Sequence, residues 1–467
     1  MDKKVLKKIV DVIIAIIIGV VFSLLRFGDL TPEAMKFIGI FIATMYLMIR
    51  RAFPDHITIL ISLGCLLLFK VSDSGSVFAP FAGTTVWLVI PIFGFAACLS
   101  ASGLMKRIAL HIMKIFPTSF KGNITALMAT GTILSPLIPS VNAKVSILAP
   151  FTSAIADECG YEKGSKGAVG LFSANFISAG ILGNAFLTGS VYVSILMGFM
   201  SDEVKATFTW GTWFLAAAVW LVLVLVLSYI MIVKTCDPGT SAAMSKEYIN
   251  NRLKEMGKMG TKEKTAAVVL AIAMVCWILQ DQIGVSAYIT CIIAFGILAA
   301  CGLMSGPEFG TKISWSTVIM IGGILSLADL TKNLGISAWL AGLIGPYLTW
   351  MLTSPYIFVL GICIITYLLR FVVISQVVTV TIVNAIFGAL AIEAGYNPFV
   401  LLFTSFMAAQ NWNLSFHNTL YMSAHGANAG RLEDHKDVVP IAYGYMAINT
   451  IACLVSVPVW QLMGFIA

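Results

Sequence analysis

The chain has 467 residues, of which 59% are hydrophobic and only 11% charged, with a net charge of +7. A soluble domain carries about 25% charged residues, so this composition excludes a freely soluble fold, and basic clusters that flank apolar runs without a recognisable binding module exclude nucleic acid as a partner. Unbroken runs such as VWLVLVLVLSYIMIV (219–233) exclude a transmembrane barrel, whose strands alternate.

A helix needs about 20 apolar residues to cross a bilayer, and about ten such stretches are present. The first, 9–25, follows Lys3, Lys4, Lys7 and Lys8 and meets Arg26 and Gly28 without a small-residue cleavage site, so it reads as a retained span. Arg50 and Arg51, then Lys106, Arg107, Lys114 and Lys121, then the loop 234–264 are the other basic clusters. Short basic loops stay cytoplasmic, which puts the N-terminus inside. Spans follow at 34–48, 56–69 and 86–104, then a broken pair at 123–156, another at 167–199, and a span at 210–233.

The polar stretch SKEYINNRLKEMGKMGTKEK (245–264) reads as an amphipathic linker on the cytoplasmic surface. Beyond it the pattern repeats: spans at 266–279, 287–303 and 318–334, a broken pair at 356–394, another at 399–424, and a span at 442–463. TTVWLVIPIFGFAACLSASGL (84–104) resembles KISWSTVIMIGGILSLADLTKNLGI (312–336), with Trp87 matching Trp315 and Gly94 matching Gly322. An odd number of spans between repeat starts inverts the second copy, a common transporter architecture.

Backbone that leaves the helix inside lipid survives only where protein or a water-filled cavity covers it, so matching breaks in two repeats point to a binding site near the midplane. There are four. In SPLIPSVNAKVSILAP (135–150), Pro136 and Pro139 interrupt the helix before Ser140, Val141 and Asn142, whose polar members can donate to a carboxylate beside a restarting helix. Lys144 follows, and reads either as a snorkelling residue or as a counter-charge to an anion or a substitute for a bound cation. GILGNAFLTGS (180–190), with Asn184, Thr188 and Ser190, is an unwound hinge or a site of close helix packing. RFVVISQVVTVT (370–381) carries Ser375, Gln376 and Thr379, either facing a ligand or bonding their own backbone. The fourth, AAQNWNLSFHNTLYMSAHG (408–426), holds Gln410, Asn411, Asn413, Ser415, His417 and Asn418, too many polar groups to be structural only.

Nine cysteines are scattered without a CxxC or Cys/His cluster, so no metal site and no cofactor is expected. No HExxH stands in the sequence, His417 and His425 are eight apart, and Asp329 is alone in its span. An enzyme is therefore not expected.

At these residues the chain resembles the divalent anion:sodium symporter family, the INDY-type carriers of dicarboxylates, tricarboxylates and sulfate. ISWSTVIMIGGILSLADLTKNLGISAWL (313–340), LKEMGKMGTKEKTAAVVL (253–270) and VPVWQLMGF (457–465) carry the resemblance, together with the four breaks. Family members have a Ser-Asn-Thr signature at each hairpin tip, where substrate carboxylates and two sodium ions bind. Here Ser140, Val141 and Asn142 stand at the first tip and Ser375, Gln376 and Val377 at the second. Gly183 and Thr188 match the first unwound loop, and Ser415, Phe416, His417 and Asn418 stand where the second often has Thr-Pro-Pro-Asn.

The resemblance implies substrate binding by Ser140, Val141, Asn142, Thr188, Ser375, Gln376, Val377, Ser415 and Phe416. Gly183, Asn184, Thr379, Asn413 and Asn418 would support them, and Lys144 and His417 would balance charge. Val141 removes a side-chain carbonyl from the first sodium site, and Lys144 adds a cation there, so the expectation is a sodium-independent exchanger of C4 or C5 dicarboxylates such as succinate, malate or 2-oxoglutarate, nearest the bacterial citrate/succinate-type exchangers. The alternative is a sodium-coupled dicarboxylate or tricarboxylate symporter. The fold class expected is an all-α polytopic membrane protein of about 11 transmembrane helices plus two re-entrant hairpins in two inverted repeats. Its parts are an N-terminal helix (1–33), a first repeat (34–244) with hairpin 123–156, the linker (245–264), and a second repeat (265–467) with hairpin 355–394. The family further implies a homodimer working as an elevator, here in the bacterial inner (cytoplasmic) membrane, whose partners are small dicarboxylate anions and the lipid bilayer.

Overall fold

A computed structural model describes residues 3–239, 246–415 and 418–466. Among them all regular structure is helical, apart from an isolated bridge between Tyr396 and Ile466. Six helices are long and apolar enough to cross a bilayer, or seven if the bent pair Gly306–Lys312 and Trp315–Asn333 counts as one span. The chain is thus an all-α, polytopic membrane protein. Among the described residues fewer full-length spans are distinct than the eleven expected, and several apolar runs form shorter helices such as Asp55–Leu68, Pro355–Arg370 and Pro398–Ala409.

The N-terminal helix Lys3–Leu24 packs along Pro32–Arg50. A carboxylate in its apolar middle needs a partner, and buried Asp11 accepts from Arg50 Nε at 3.0 Å and Tyr46 Oη at 3.2 Å. Two amphipathic or apolar helices not separated out in the sequence, Leu104–Ile115 and Ile336–Leu352, each run into a hairpin. The linker helix Lys246–Met256 packs against Leu104–Ile115. Arg107 clamps this layer, donating to both carboxylate oxygens of buried Glu263 and to the carbonyl of Gly257 at 3.0 Å.

Each hairpin consists of two helices and an irregular tip, Phe120–Leu134 with Val141–Glu158 and Pro355–Arg370 with Gln376–Glu393. Each is followed by a divided helix. Lys166–Asn175 passes through π and 3-10 turns to Ala185 and restarts at Val191, and Pro398–Ala409 stops at Gln410 and restarts at Thr419. The matched glycines also share a packing role. A Cβ at Gly94 would meet the ring of Phe295, and one at Gly322 the ring of Phe81, so each lets an aromatic edge reach its helix backbone.

Two long helices, Trp210–Cys236 and His435–Leu462, cross at the centre of the main hydrophobic core. A smaller core joins Pro32–Arg50, Asp55–Leu68 and Trp315–Asn333, and the second tip inserts Val373, Val377 and Val378 into it. At the crossing, Trp220 Nε1 donates to Asn449 Oδ1 at 2.8 Å, Asn449 Nδ2 donates to Tyr367 Oη at 3.1 Å, and Trp460 Nε1 donates to the Ala216 carbonyl at 2.8 Å. Asn449→Leu leaves the buried Trp220 donor without an acceptor, at a cost of about 1–3 kcal/mol. A fall in the thermal unfolding midpoint of the detergent-purified protein is the expected outcome, checked by tryptophan fluorescence.

Candidate functional site

Both tips end in the same local device. Ser140 is the N-cap of Val141–Glu158, its Oγ accepting from the Ala143 amide at 3.3 Å, and Ser375 is the N-cap of Gln376–Glu393, accepting from the Val378 amide at 3.5 Å. Each tip therefore presents a hydroxyl and the positive end of a helix dipole. The proline carbonyls of the first tip are taken by the unwound segment behind it: Pro136 accepts from Thr188 Oγ1 at 2.9 Å and Pro139 from the Val191 amide at 3.3 Å.

Behind each tip lies a buried cation bonded to carbonyls of broken helix. Lys144 is 0% exposed, and its Nζ donates to the Gly189 carbonyl at 2.9 Å and to Ser135 Oγ at 3.5 Å. No carboxylate pairs with it among the described residues. Gly183 gives it room, since a Cβ there would collide with Nζ and with the Gly189 carbonyl. Arg370, 1% exposed at the end of its helix, donates from Nη1 to the carbonyls of Val373 (2.8 Å) and Ile374 (2.5 Å), and from Nε to Asn411 Oδ1 at 3.4 Å. A cation at a helix C-terminus is favoured by the dipole. Arg370 is not among the residues expected from the sequence, although an arginine inside an apolar run is a functional signal in itself.

Two cavities meet the tips. One, of about 540 Å³, is lined by Ser140, Val141 and Asn142 together with Ser314, Thr317, Glu308 and Lys312. The other, of about 190 Å³, is lined by Ser375, Gln376 and Val377 with Arg51, Asp55 and Thr419. Tyr192 and Met320 border both, so the two cavities adjoin. Residues from distant helices complete these walls, and no local pattern marks Arg51, Asp55, Glu308 or Lys312 as site residues. A third cavity of about 850 Å³, with Asp202, Lys205, Asp329 and Lys332 in its wall, touches neither tip.

Of the other expected site residues, Thr188, Thr379, Asn184, Asn413 and Asn418 line neither of these two cavities. Thr188 is buried, its hydroxyl shared between the Pro136 carbonyl and Trp210 Nε1, so it braces the unwound segment. Thr379 donates to the Ser375 carbonyl and reinforces the second tip. Asn184 Nδ2 donates to the Ile181 carbonyl. Asn418 caps its helix through Oδ1 and donates from Nδ2 to the carbonyls of Gln410 and Asn411. Asn413 is buried with both side-chain polar atoms lacking a partner. Gln376 Nε2 is held by Gln410 Oε1 at 2.9 Å. Ser415 is exposed in the fourth break, and Phe416 and His417 lie outside the described residues. No cluster of three His, Cys, Asp or Glu suited to a metal occurs among the described residues.

A family profile described as "Sodium:sulfate symporter transmembrane region" matches residues 6–426. Dicarboxylate transporter 2, chloroplastic, of Spinacia oleracea is 26% identical over 98% of this chain and 83% of its own length. Inner membrane protein YbhI of Escherichia coli is 26% identical over 67% of this chain and 68% of its own. Among solved structures, the YdaH transporter of Alcanivorax borkumensis superposes with a TM-score of 0.57 at 13% identity, covering 99% of this chain and 98% of that one, which is a likeness of fold.

Gly183→Val drives a side chain into the Lys144 ammonium and the Gly189 carbonyl. The expected result is loss of at least about ten-fold in transport through displacement of the first tip, checked by uptake in proteoliposomes alongside a monodisperse size-exclusion profile.

Proposed function

The chain belongs to the sodium:sulfate symporter family, and from that premise we propose that it carries small dicarboxylate anions across the membrane by exchange, one carboxylate at each hairpin tip. The observation that carries this reading is the pairing of two Ser-capped helix N-termini in adjoining cavities with a covalently attached cation behind each. In broken-helix carriers the N-termini face the anionic substrate while freed carbonyls ligate the coupling cation. Here the Gly189, Val373 and Ile374 carbonyls are engaged by Lys144 and Arg370. The spinach relative's name supports the substrate class.

Fixed cations give exchange a physical cause. Substrate balances Lys144 when bound, but an empty site would carry that buried charge without a carboxylate beside it as it moves, which is costly. Return without substrate is then slow. A sodium-coupled carrier avoids this because its cations leave with the substrate.

The second reading is sodium-coupled symport of a dicarboxylate or tricarboxylate. The family description names sodium, and on the comparisons alone this reading is the better supported of the two. For the rest, the architecture proposed is two inverted repeats moving as an elevator. The paired hairpins, the paired divided helices, the Gly94 and Gly322 contacts and the separate smaller core support it. A homodimer follows from the family resemblance, and a bacterial inner membrane from the basic cytoplasmic loops and the Escherichia coli relative.

Reconstitution decides between the two couplings. Labelled succinate uptake is expected to require internal dicarboxylate and to proceed with sodium replaced by choline, whereas uptake driven by a sodium gradient without internal substrate establishes symport. Lys144→Ala is expected to lower exchange by at least about ten-fold, since it deletes a buried balancing charge. Normal exchange by a folded Lys144→Ala protein removes the balancing role.

A further inference from the structure

The two tip cavities meet at one aromatic residue. Tyr192 stands in the walls of both, with Ser140, Val141 and Asn142 in the larger and with Ser375, Gln376 and Val377 in the smaller, and Met320 of Trp315–Asn333 accompanies it in each. The same side chain packs against the main hydrophobic core and against the smaller one. Tyr192 is therefore at the seam of the two cores as well as of the two cavities.

Its place is fixed from both halves of the chain. The Val191 amide just before it donates to the Pro139 carbonyl of the first tip at 3.3 Å, and its own amide donates to Ser190 Oγ at 3.3 Å, at the N-terminus of helix Val191–Gly198. Its ring lies against that of buried Phe406, in the helix that leads to the fourth break, with centroids 5.2 Å apart and planes at 36°. A tyrosine held in this way is a rigid plate with little freedom to yield. Met320, by contrast, is an unbranched thioether that re-packs around whatever lies beside it.

A dianion with one acidic group at each tip has its carbon bridge where the cavities adjoin, beside Tyr192. We propose that Tyr192 is a specificity-determining residue, a partition between the tip cavities that admits an unbranched bridge and rejects one carrying a further carboxylate. The inference rests on the reading that a dicarboxylate binds at the two tips, and deepens it by setting the class of dianion. An unbranched bridge is narrow, and its methylenes gain apolar contact with the ring. A third carboxylate on the bridge would be brought against an aromatic ring, whose face is itself negative, and a thioether that donates no hydrogen bond. It would give up hydration there without a replacement.

Binding of succinate and of citrate to the purified full chain, each measured by calorimetry, tests this. The unmodified protein is expected to bind citrate at least about ten-fold more weakly than succinate. Tyr192→Ala and Tyr192→Leu are both expected to bring the two affinities within about three-fold of each other, because each removes the ring that separates the cavities. Tyr192→Phe keeps the ring and is expected to keep the unmodified ratio. Citrate bound as tightly as succinate by the unmodified protein, a ratio unchanged in the folded Ala and Leu variants, or a ratio lost as fully in the Phe variant overturns the proposal. A residue that only packs the seam weakens both ligands together and leaves their ratio alone. Leu retains apolar contact with Phe406, so a misfolded Ala variant does not decide the matter. If the unmodified protein binds none of succinate, malate, 2-oxoglutarate and citrate, the dicarboxylate reading falls and takes this inference with it, an outcome distinct from an unchanged ratio in the variants.

Discussion

A carbonyl or amide left unpaired inside hydrocarbon costs several kcal/mol, and the centre of this protein contains four places where helices stop short. The surrounding architecture follows from the need to satisfy those ends. Pro136 and Pro139 carbonyls are met by Thr188 and the Val191 amide, Gly189 by Lys144, Val373 and Ile374 by Arg370, and Gln410 and Asn411 by Asn418. In the first half, hairpin and divided helix thus satisfy each other's ends, whereas in the second the hairpin closes its carbonyls through Arg370 and the divided helix through Asn418.

Satisfying carbonyls with a lysine and an arginine has an electrostatic consequence. The Lys144 and Arg370 side chains are buried close behind tips that already carry the positive ends of helix dipoles. Such a region is hospitable to a small anion with separated acidic groups and inhospitable when vacant.

The unwound segments are fastened to each other by packing as well as by polar bonds. Phe176, in the π turns of the first, stacks edge-on against Trp412 of the second with ring centroids 4.9 Å apart, and Tyr421 joins them. Asn428, just past the second divided helix, accepts from Thr152 of the first hairpin at 2.8 Å. Bonds of this kind couple the chain's halves across more than 200 residues, so a shift at one tip is transmitted through a stiff, close-packed body.

Several features were legible in the sequence because they depend on local chemistry. Continuous apolar runs demand a bilayer, Pro136 and Pro139 break a helix wherever they stand, and a run of amides such as Gln410, Asn411 and Asn413 in apolar surroundings marks a break. Lys144 stood out for the same reason. Arg370 is less conspicuous beside the polar residues that follow it, and nothing local shows that the Thr188 hydroxyl donates to the Pro136 carbonyl. Whether a polar side chain faces a cavity or its own backbone depends on which distant segment supplies the partner. Arg51, Asp55, Glu308 and Lys312 lie in ordinary loop or helix-end contexts, and only the folding of remote helices around the tips brings them to the cavities. The sequence alone thus determined where the chain enters the membrane and where its helices must break, since both follow from each residue's own solvation and backbone geometry. The tertiary structure alone decided that Lys144 meets the Gly189 carbonyl and which remote side chains wall the two tip cavities, since those placements join residues far apart in the chain.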